Sequence, residues 1–289
     1  MTRRVLIFGA AGQVGLELLG MAPSDARIIA LDVGDVDVRD RDAVLRVTRE
    51  VRPDAVINCA GYTNVDGAES AADDAMAVNG VAPGVMAEAS AEMGARFLHI
   101  STDYVFDGRA HEPYAVGALA GAISVYGSTK LEGERRALAT AGNAVVVRTA
   151  WVHSAVGTNF VKTAVRFLGA GKAMRVVDDQ IGTPTRARHL ARALWCLAGN
   201  AATGLLHFTD AGVASWYDVA VAVMETLASE GRLPTGAGVE PIRSSERPSV
   251  AKRPAYSVLD KHDSWRTIGF LPPHWRVGVA ASTRELMNA

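Results

Sequence analysis

The sequence predicts an α/β protein built on a doubly wound parallel sheet. Short apolar runs alternate with helical patterns through the first half of the chain, which is typical of repeated strand–helix units. The runs are continuously apolar, as expected of strands that helices cover on both faces. A glycine-rich turn follows the first run and opens the first helix. These patterns together predict parallel strands joined by right-handed crossovers.

The predicted elements follow one another in regular alternation up to about residue 150. The apolar runs predict strands at 5–8, 28–31, 55–59, 96–101 and 144–148, and the stretches between them predict helices near 13–21, 41–51, 71–93 and 126–140. Beyond that point the pattern is less regular. Helices are predicted near 159–168, near 188–198 and after Ser215, whose hydroxyl can cap the last of them.

Composition excludes several classes of protein. The formal net charge of −1 gives no strong positive field, so we expect no nucleic-acid partner. The two cysteines, Cys59 and Cys196, have no metal-ligand spacing and suggest no disulfide framework, which favours a reducing, cytoplasmic location. No apolar stretch approaches the roughly 18 residues that a membrane span needs. The apolar run VLIF near the start is short and meets glycines, which favours a strand over a signal segment.

The first glycine turn has the pattern of a phosphate-binding loop. Gly9, Gly12 and Gly15 are spaced G-x-x-G-x-x-G directly after the first strand. Glycine is needed where the chain turns sharply and where backbone must approach a pyrophosphate. The helix that follows offers free N–H groups and a positive dipole end to phosphates. A turn with only a packing role is the alternative.

Residues at the ends of the second and third strands extend this prediction. Asp32 ends the second strand, where a carboxylate can bind a ribose hydroxyl and would repel a 2′-phosphate, which favours NADH. A helix-capping or turn aspartate is the alternative. Asp37 and Val38 could border the adenine. Ala60 and Gly61 are small enough to let a cofactor pass the third strand, although turn packing also explains them.

A catalytic group is predicted beyond the fourth strand. Thr102 follows that strand, and Tyr126 and Lys130 lie one turn apart on the next helix. A free tyrosine has a pKa of about 10, and we expect the nearby ammonium to lower it. Hydride from a nicotinamide and a proton from Tyr126 would then reduce a ketone whose oxygen Thr102 holds. A solvated helix face is the alternative, and the glycine turn together with Thr102 disfavours it.

The motifs divide the chain into two regions. We assign residues 1–150 to an NAD(P)-binding Rossmann domain, because the glycine turn and all five regular strands lie there. Residues 151–289 are assigned mainly to a smaller substrate-binding region, some segments of which return to the sheet. Its many prolines suit loops that close over a substrate.

The chain resembles the extended short-chain dehydrogenases and, within them, the dTDP-4-dehydrorhamnose reductases. The matching stretches are GAAGQVGLELL, VINCAGYTNVDGAES, HISTDYVFDG, YGSTKLEGE, VVRTAWVH, NFVKTAVR, VVDDQIGTPT and RPAYSVLD. STDYVFDG and DQIGTPT are the most specific of these. The resemblance implies reduction of the 4-keto group of dTDP-4-dehydro-L-rhamnose by NADPH or NADH, which gives dTDP-L-rhamnose.

The resemblance also implies a set of site residues. It makes Thr102, Tyr126 and Lys130 the catalytic residues. The implied cofactor contacts are Gly9, Gly12, Gln13, Val14, Asp32, Asp37, Val38, Ala60, Gly61, Tyr62, Tyr126 and Lys130. The implied contacts to the dTDP-sugar are Thr102, Asp103, Tyr104, Trp151, Asn159 and Phe160, with Gln180 and Thr183 completing the wall. From the residues alone, a core aromatic is the alternative for Trp151.

The loop before Tyr126 departs from the pattern of the family. Val116, Ala118 and Ala122 stand where a glutamate, an aspartate and a proline are usual. This change leaves the catalytic residues in place but could alter which sugar is preferred. Some family members form a dimer bridged by magnesium through glutamates. No such ligands can be matched here, so we expect no metal, and a homodimer stays open.

Three alternatives remain. One is a reductase that acts on another dTDP-4-keto-6-deoxy sugar. Another is a sugar-nucleotide epimerase or dehydratase on the same scaffold. A dehydratase typically carries an Asp-Glu pair after the threonine, whereas here Asp103 is followed by Tyr104, which disfavours the dehydratase. The third is a non-catalytic NAD(P)-binding regulatory subunit, for which Tyr126 and Lys130 would not be needed.

Overall fold

A computed structural model describes residues 3–288 and confirms the predicted fold class. Six parallel strands form the central sheet in the order β10-β5-β4-β3-β1-β2. These strands are β1 (Arg3–Phe8), β2 (Ala26–Leu31), β3 (Ala55–Asn58), β4 (Arg96–Thr102), β5 (Ala144–Thr149) and β10 (Gly204–His207). The strand order reverses beside β1, and ligands of open α/β sheets bind at such a point, outside the carboxyl ends of the strands.

Helices cover both faces of this sheet. Along residues 3–288 the α-helices, some of which belong to the smaller group described below, are α1 (Gln13–Gly20), α2 (Arg41–Val51), α3 (Val65–Ala68), α4 (Ala72–Ala75), α5 (Ala82–Glu92), α6 (Val125–Thr140), α7 (Phe160–Gly169), α8 (Ala187–Gly199), α9 (Trp216–Ser229), α10 (His262–Ile268) and α11 (Trp275–Met287). On one face Leu18 and Leu190 pack against Ile7. On the other face, Val44 and Met86 belong to a second buried cluster. None of the helices within residues 3–288 is long and apolar enough to span a membrane.

A smaller group of elements follows β5. Its short strands are β6 (Val152–His153), β7 (Ala173–Val177), β8 (Ile181–Gly182), β9 (Thr185–Arg186), β11 (Ala214–Ser215) and β12 (Gly238–Ile242). Helices α7, α9 and α11 bury a separate core that includes Val161, Val223 and Val279. Ser215 caps α9 as predicted, because its hydroxyl accepts a hydrogen bond from the N–H of Asp218 and the Asp218 carboxylate accepts one in return.

The helix predicted over residues 71–93 is present but irregular. It begins as α4, passes through a π-helical turn over Met76–Val81, and continues as α5. Pro83 has no N–H to offer the carbonyl of Asn79 four residues earlier, which explains the interruption. Gly133 of α6 leaves room for that carbonyl. The predicted helical stretch is therefore confirmed with a π-helical turn inside it, and that turn places the Asn79 side chain near the sheet edge.

Candidate active site

Two adjoining clefts open at the carboxyl edge of the sheet. The first has a volume of about 610 Å³ and the second about 440 Å³, and both are lined by Gly12, Cys59, Ala60 and Gly61. Of the predicted site residues, the first cleft brings together Gly12, Gln13, Val14, Ala60, Gly61, Thr102, Tyr126, Lys130, Trp151, Asn159 and Phe160. The second brings together Gly9, Gly12, Asp32, Asp37, Val38, Ala60, Gly61 and Tyr62.

The glycine turn has the shape that a bound phosphate requires. Gly9 has a φ of 74°, and a Cβ there would lie 2.5 Å from the backbone nitrogen of Ala60. Gly12 is the N-cap of α1 and provides no side-chain cap. The first N–H groups of α1 and the positive end of its dipole are therefore available to an anionic group at the cleft. This arrangement fits the pyrophosphate of a dinucleotide.

Asp32 is fixed beside this turn. One of its carboxylate oxygens accepts a hydrogen bond from the N–H of Ala11 at 2.7 Å, and the other accepts one from the N–H of Val33 at 2.7 Å. Asp32 also lines the second cleft. Since the backbone holds both oxygens, the carboxylate presents a fixed acceptor and a fixed negative charge to whatever binds there.

The start of α6 positions Tyr126. Ser124 caps the helix by accepting a hydrogen bond from the N–H of Gly127 at 3.2 Å. Gly127 lies directly against the carbonyl of Tyr104, where a larger residue would clash. Helix α6 can therefore approach β4 closely, and Thr102, Tyr126 and Lys130 reach the same cleft.

The expectation that Lys130 lowers the pKa of Tyr126 is wrong in this structure. Burial raises the pKa of Tyr126 to about 12, and a hydrogen bond from Thr102 only partly opposes that rise. The ammonium of Lys130 donates instead to the carbonyl of Ile100 at 2.6 Å. Burial lowers the pKa of Lys130 to about 8, against the charge of Glu134. Desolvation therefore outweighs the hydrogen bond with Thr102 at Tyr126 and the charge of Glu134 at Lys130.

Behind the catalytic candidates lies a buried ion pair. Two N–H groups of Arg148 donate to the two carboxylate oxygens of Glu134 at 2.8 and 2.7 Å. Ser101 donates to the same carboxylate at 2.6 Å. The two charged side chains are only 4% and 3% exposed. This contact joins α6 to β4 and β5. This ion pair was not predicted from the sequence, although Arg148 ends the apolar run AVVVR and a charged residue in a buried strand needs a partner.

Two further buried polar residues hold the cofactor side of the cleft. The side-chain amide of Asn58 lies 3.1 Å from Nδ1 of His99, and its oxygen accepts from the N–H of Ala60 at 2.9 Å. From the π-helical turn, the Asn79 oxygen accepts from the N–H of Tyr62 at 2.8 Å. Both asparagines escaped prediction because nothing in their local sequence marks them. They fix the strand end along which a cofactor would pass.

Aromatic rings form one wall of the first cleft. Trp151, which has a φ of 48°, stacks on Trp216 with ring centroids 3.7 Å apart and planes 9° apart. Phe160 meets Trp216 edge-on at 4.9 Å. A Cβ at Gly182 would lie only 2.6 Å from the Trp151 ring, so glycine is needed there. Trp216 was not predicted, although it directly follows the capping residue Ser215.

Asn159 and Gln13 bridge the two sides of the cleft. Asn159 caps α7 by accepting a hydrogen bond from the N–H of Lys162 at 2.9 Å. Its amide donates to the side-chain oxygen of Gln13 at 2.8 Å, and Ser154 donates to that same oxygen at 3.0 Å. The first turn of α1 is thereby tied to the start of α7. Both residues line the cleft.

Two predicted substrate contacts, Asp103 and Tyr104, lie directly beside Thr102 and Tyr126. Asp103 is buried, and one of its oxygens accepts from the Thr102 hydroxyl at 3.1 Å. Burial raises its pKa to about 6. The ring of Tyr104 meets Tyr126 edge-on at 5.6 Å. These residues are placed to support Thr102 and Tyr126. Thr183 is also buried and donates to the carbonyl of Gly212, away from the cleft.

A third cleft, of about 620 Å³, continues from the aromatic wall. Phe160 and Trp216 line both the first and the third cleft. Arg175, Arg247 and Arg253 also line the third cleft, and so does Gln180. Arg175 pairs there with Glu246 and Arg253 with Asp66. Arg247, which has no ion pair in the part of the chain that the structure describes, suits a phosphorylated ligand.

Within residues 3–288, no cluster of three or more His, Cys, Asp or Glu side chains is placed to hold a metal ion.

Comparisons with known proteins agree with this geometry. A family model described as the RmlD substrate binding domain matches residues 3–288. A dTDP-4-dehydrorhamnose reductase of Mycolicibacterium smegmatis is 41% identical over 100% of this chain and 88% of that relative. A dTDP-4-keto-6-deoxy-D-glucose reductase of Streptomyces niveus is 36% identical, over 100% of this chain and 99% of that relative. A dTDP-4-dehydrorhamnose reductase of Bacillus anthracis, solved in complex with NADP, has a TM-score of 0.91 and 34% identity, and covers 99% of this chain and 100% of that chain.

Proposed function

The chain belongs to the RmlD substrate-binding family, and on that premise we propose that it uses NAD(P)H to reduce the 4-keto group of dTDP-4-dehydro-L-rhamnose. The product would be dTDP-L-rhamnose. One observation carries the proposal. Thr102, Tyr126 and Lys130 line a single cleft together with the glycine turn and the aromatic wall. A proton donor, a dinucleotide site and a site for a sugar therefore meet at one place.

The dinucleotide is proposed to extend along both adjoining clefts. Its pyrophosphate would meet the N-terminus of α1 at Gly12, and a ribose would meet Asp32. The NADP complex of the Bacillus anthracis relative supports a nicotinamide dinucleotide here. When bound, NAD(P)H supplies the hydride that is added to the carbonyl carbon of the sugar.

Tyr126 is proposed to supply the proton. Because burial raises its pKa to about 12, the phenol stays protonated at neutral pH and can donate to the oxygen that becomes the new hydroxyl group. Thr102 lines the same cleft and can hold that oxygen beside the phenol. Lys130, which lies one turn further along α6 and donates to the carbonyl of Ile100, is proposed to hydrogen-bond a ribose hydroxyl.

The nucleotide end of the substrate is proposed to lie toward the third cleft. The diphosphate carries negative charge, and Arg247 lines that cleft beside Arg175 and Arg253, which pair with Glu246 and Asp66. The stacked pair of Trp151 and Trp216 stands between the third cleft and the catalytic residues. An aromatic face at this position suits the apolar side of a 6-deoxy sugar or a base.

Removal of the Trp216 ring tests this placement. We expect Trp216→Ala to raise the KM for the sugar nucleotide by about 3- to 10-fold, which is the scale of a lost aromatic stacking contact. The KM for NAD(P)H should change less, because Trp216 lines the first and third clefts and lies outside the second, where the adenosine end is proposed to bind. Steady-state kinetics with each substrate varied in turn measure both values. Trp216→Phe, which keeps a ring, should recover most of the affinity, and an equal loss in the two variants would contradict the stacking role.

Turnover with the proposed substrate is the direct test. We expect the purified protein to oxidise NADH or NADPH when given dTDP-4-dehydro-L-rhamnose, with loss of nicotinamide absorbance and formation of dTDP-L-rhamnose identified by chromatography. A dTDP-hexose without a keto group serves as the control and should give no oxidation. Cofactor binding without turnover of any keto sugar would indicate a regulatory subunit and would overturn the proposed reaction.

A related 4-keto-6-deoxy sugar is the second candidate substrate. The Streptomyces niveus relative supports it, since its name describes a reductase of dTDP-4-keto-6-deoxy-D-glucose. So do Val116, Ala118 and Ala122, which replace the usual polar and proline residues before Tyr126. Comparing kcat/KM for the two keto sugars decides between them.

A further inference from the structure

The second cleft contains an arginine, Arg39, that forms ion pairs with two carboxylates. Asp32, Asp37, Arg39 and Asp74 all line this cleft, which is where the adenosine end of the dinucleotide is proposed to bind. Three carboxylates and one guanidinium leave the lining with a net negative charge. The cleft therefore disfavours an additional phosphate before any individual contact is considered.

Arg39 is paired from two sides. Its Nε and Nη2 atoms donate to the Asp37 carboxylate at 3.0 and 2.8 Å, and its Nη1 atom donates to Asp74 at 2.9 Å. Asp37 precedes it by two residues, whereas Asp74 belongs to α4. The guanidinium fork that would bind a 2′-phosphate is thus committed to two carboxylates.

Asp32 is held in place by two backbone hydrogen bonds. Its two oxygens are held by the N–H groups of Ala11 and Val33. A 2′-phosphate placed at this ribose would meet a fixed negative charge and would have to draw Arg39 away from its partners. A 2′-hydroxyl would meet a ready acceptor.

We propose that Asp74 is a cofactor-specificity residue, which holds Arg39 from α4 and so makes the cleft prefer NADH to NADPH. This inference rests on the proposed function in one respect, namely that the cleft holds a nicotinamide dinucleotide. It assigns the discrimination to an ion pair between two separate segments of the chain, in addition to the carboxylate at the end of β2.

The test measures dinucleotide binding without any sugar. Dissociation constants for NADH and NADPH are determined by calorimetry for the wild type, Asp74→Ala and Asp73→Ala. We expect NADH to bind the wild type more tightly. Asp74→Ala should tighten NADPH binding by about 5-fold, the scale of an exposed ion pair, and change NADH binding by less than about 2-fold. Asp73→Ala removes the same charge from the same helix, outside the cleft lining, and should change neither value.

A second background identifies the role of Arg39. In Arg39→Gln, the addition of Asp74→Ala should no longer tighten NADPH binding, because no guanidinium is left to release. Three results would overturn the proposal. Asp74→Ala could tighten NADPH binding equally in the Arg39→Gln background, it could tighten NADH binding as much as NADPH binding, or Asp73→Ala could tighten NADPH binding as much as Asp74→Ala does. Tighter binding of NADPH than of NADH by the wild type would also overturn it. These constants do not depend on turnover, so absence of keto-sugar reduction would overturn the proposed reaction alone.

Discussion

Tyr126→Phe is expected to lower kcat by about 100- to 10,000-fold, the range that a positioned general acid contributes. The phenol lines the catalytic cleft, and its high pKa keeps the proton that the reaction consumes. The substitution removes only the hydroxyl group, while the ring and its edge-on contact with Tyr104 remain. Turnover of the keto sugar and the dissociation constant of NADH should be measured on the same preparation.

The dissociation constant separates chemistry from folding. We expect it to change by less than about 2-fold, because loss of the hydroxyl leaves the two cofactor clefts otherwise intact. Tyr114→Phe is a matched control: it removes a phenol hydroxyl that binds Asp107 outside the clefts. It should leave kcat near the wild-type value. Turnover by Tyr126→Phe at a similar level would rule out Tyr126 as the proton donor.

Glu134→Gln is expected to destabilise the folded protein by about 3–5 kcal/mol, the usual cost of leaving one partner of a buried ion pair uncompensated. Arg148 would remain almost fully buried and would lose the charge that it faces through two hydrogen bonds. Ser101 would lose a charged acceptor. Equilibrium unfolding in urea measures the change through the midpoint of the transition.

Glu132 on the same helix provides the control. It pairs with Arg136 at the surface, where the two side chains are 29% and 46% exposed. Glu132→Gln should therefore cost less than about 1 kcal/mol, because solvent screens exposed pairs. If both variants lowered the unfolding free energy equally, the buried pair would not have the importance that its burial indicates.

The sheet and the catalytic group could be predicted because each has a local signal. Continuous apolar runs marked the strands, and the spacing of Tyr126 and Lys130 placed them on one helical face. The pKa of Tyr126 could not be predicted in the same way. It depends on how deeply the ring is buried and on the turn of Lys130 toward Ile100, both of which are set by tertiary packing.

The supporting residues were harder to find for a related reason. Asn79, Glu134 and Trp216 act through partners that are distant in sequence, and no local pattern distinguishes them from surface residues. Contact of Asp103 and Tyr104 with the substrate stays a prediction. Both follow β4 in a tight turn, where Asp103 accepts a hydrogen bond from Thr102 and Tyr104 meets Tyr126 edge-on.

The late position of β10 in the chain has a consequence for folding during synthesis on the ribosome. β10 pairs with β5 but is encoded well after it, beyond α7 and α8. Until residues 204–207 emerge, the entirely buried strand β5 presents an unpaired edge, and the face that α8 covers is exposed to solvent. A nascent chain ending near residue 150 is therefore prone to pair with other chains. The six-stranded sheet is therefore complete only after β10 has emerged.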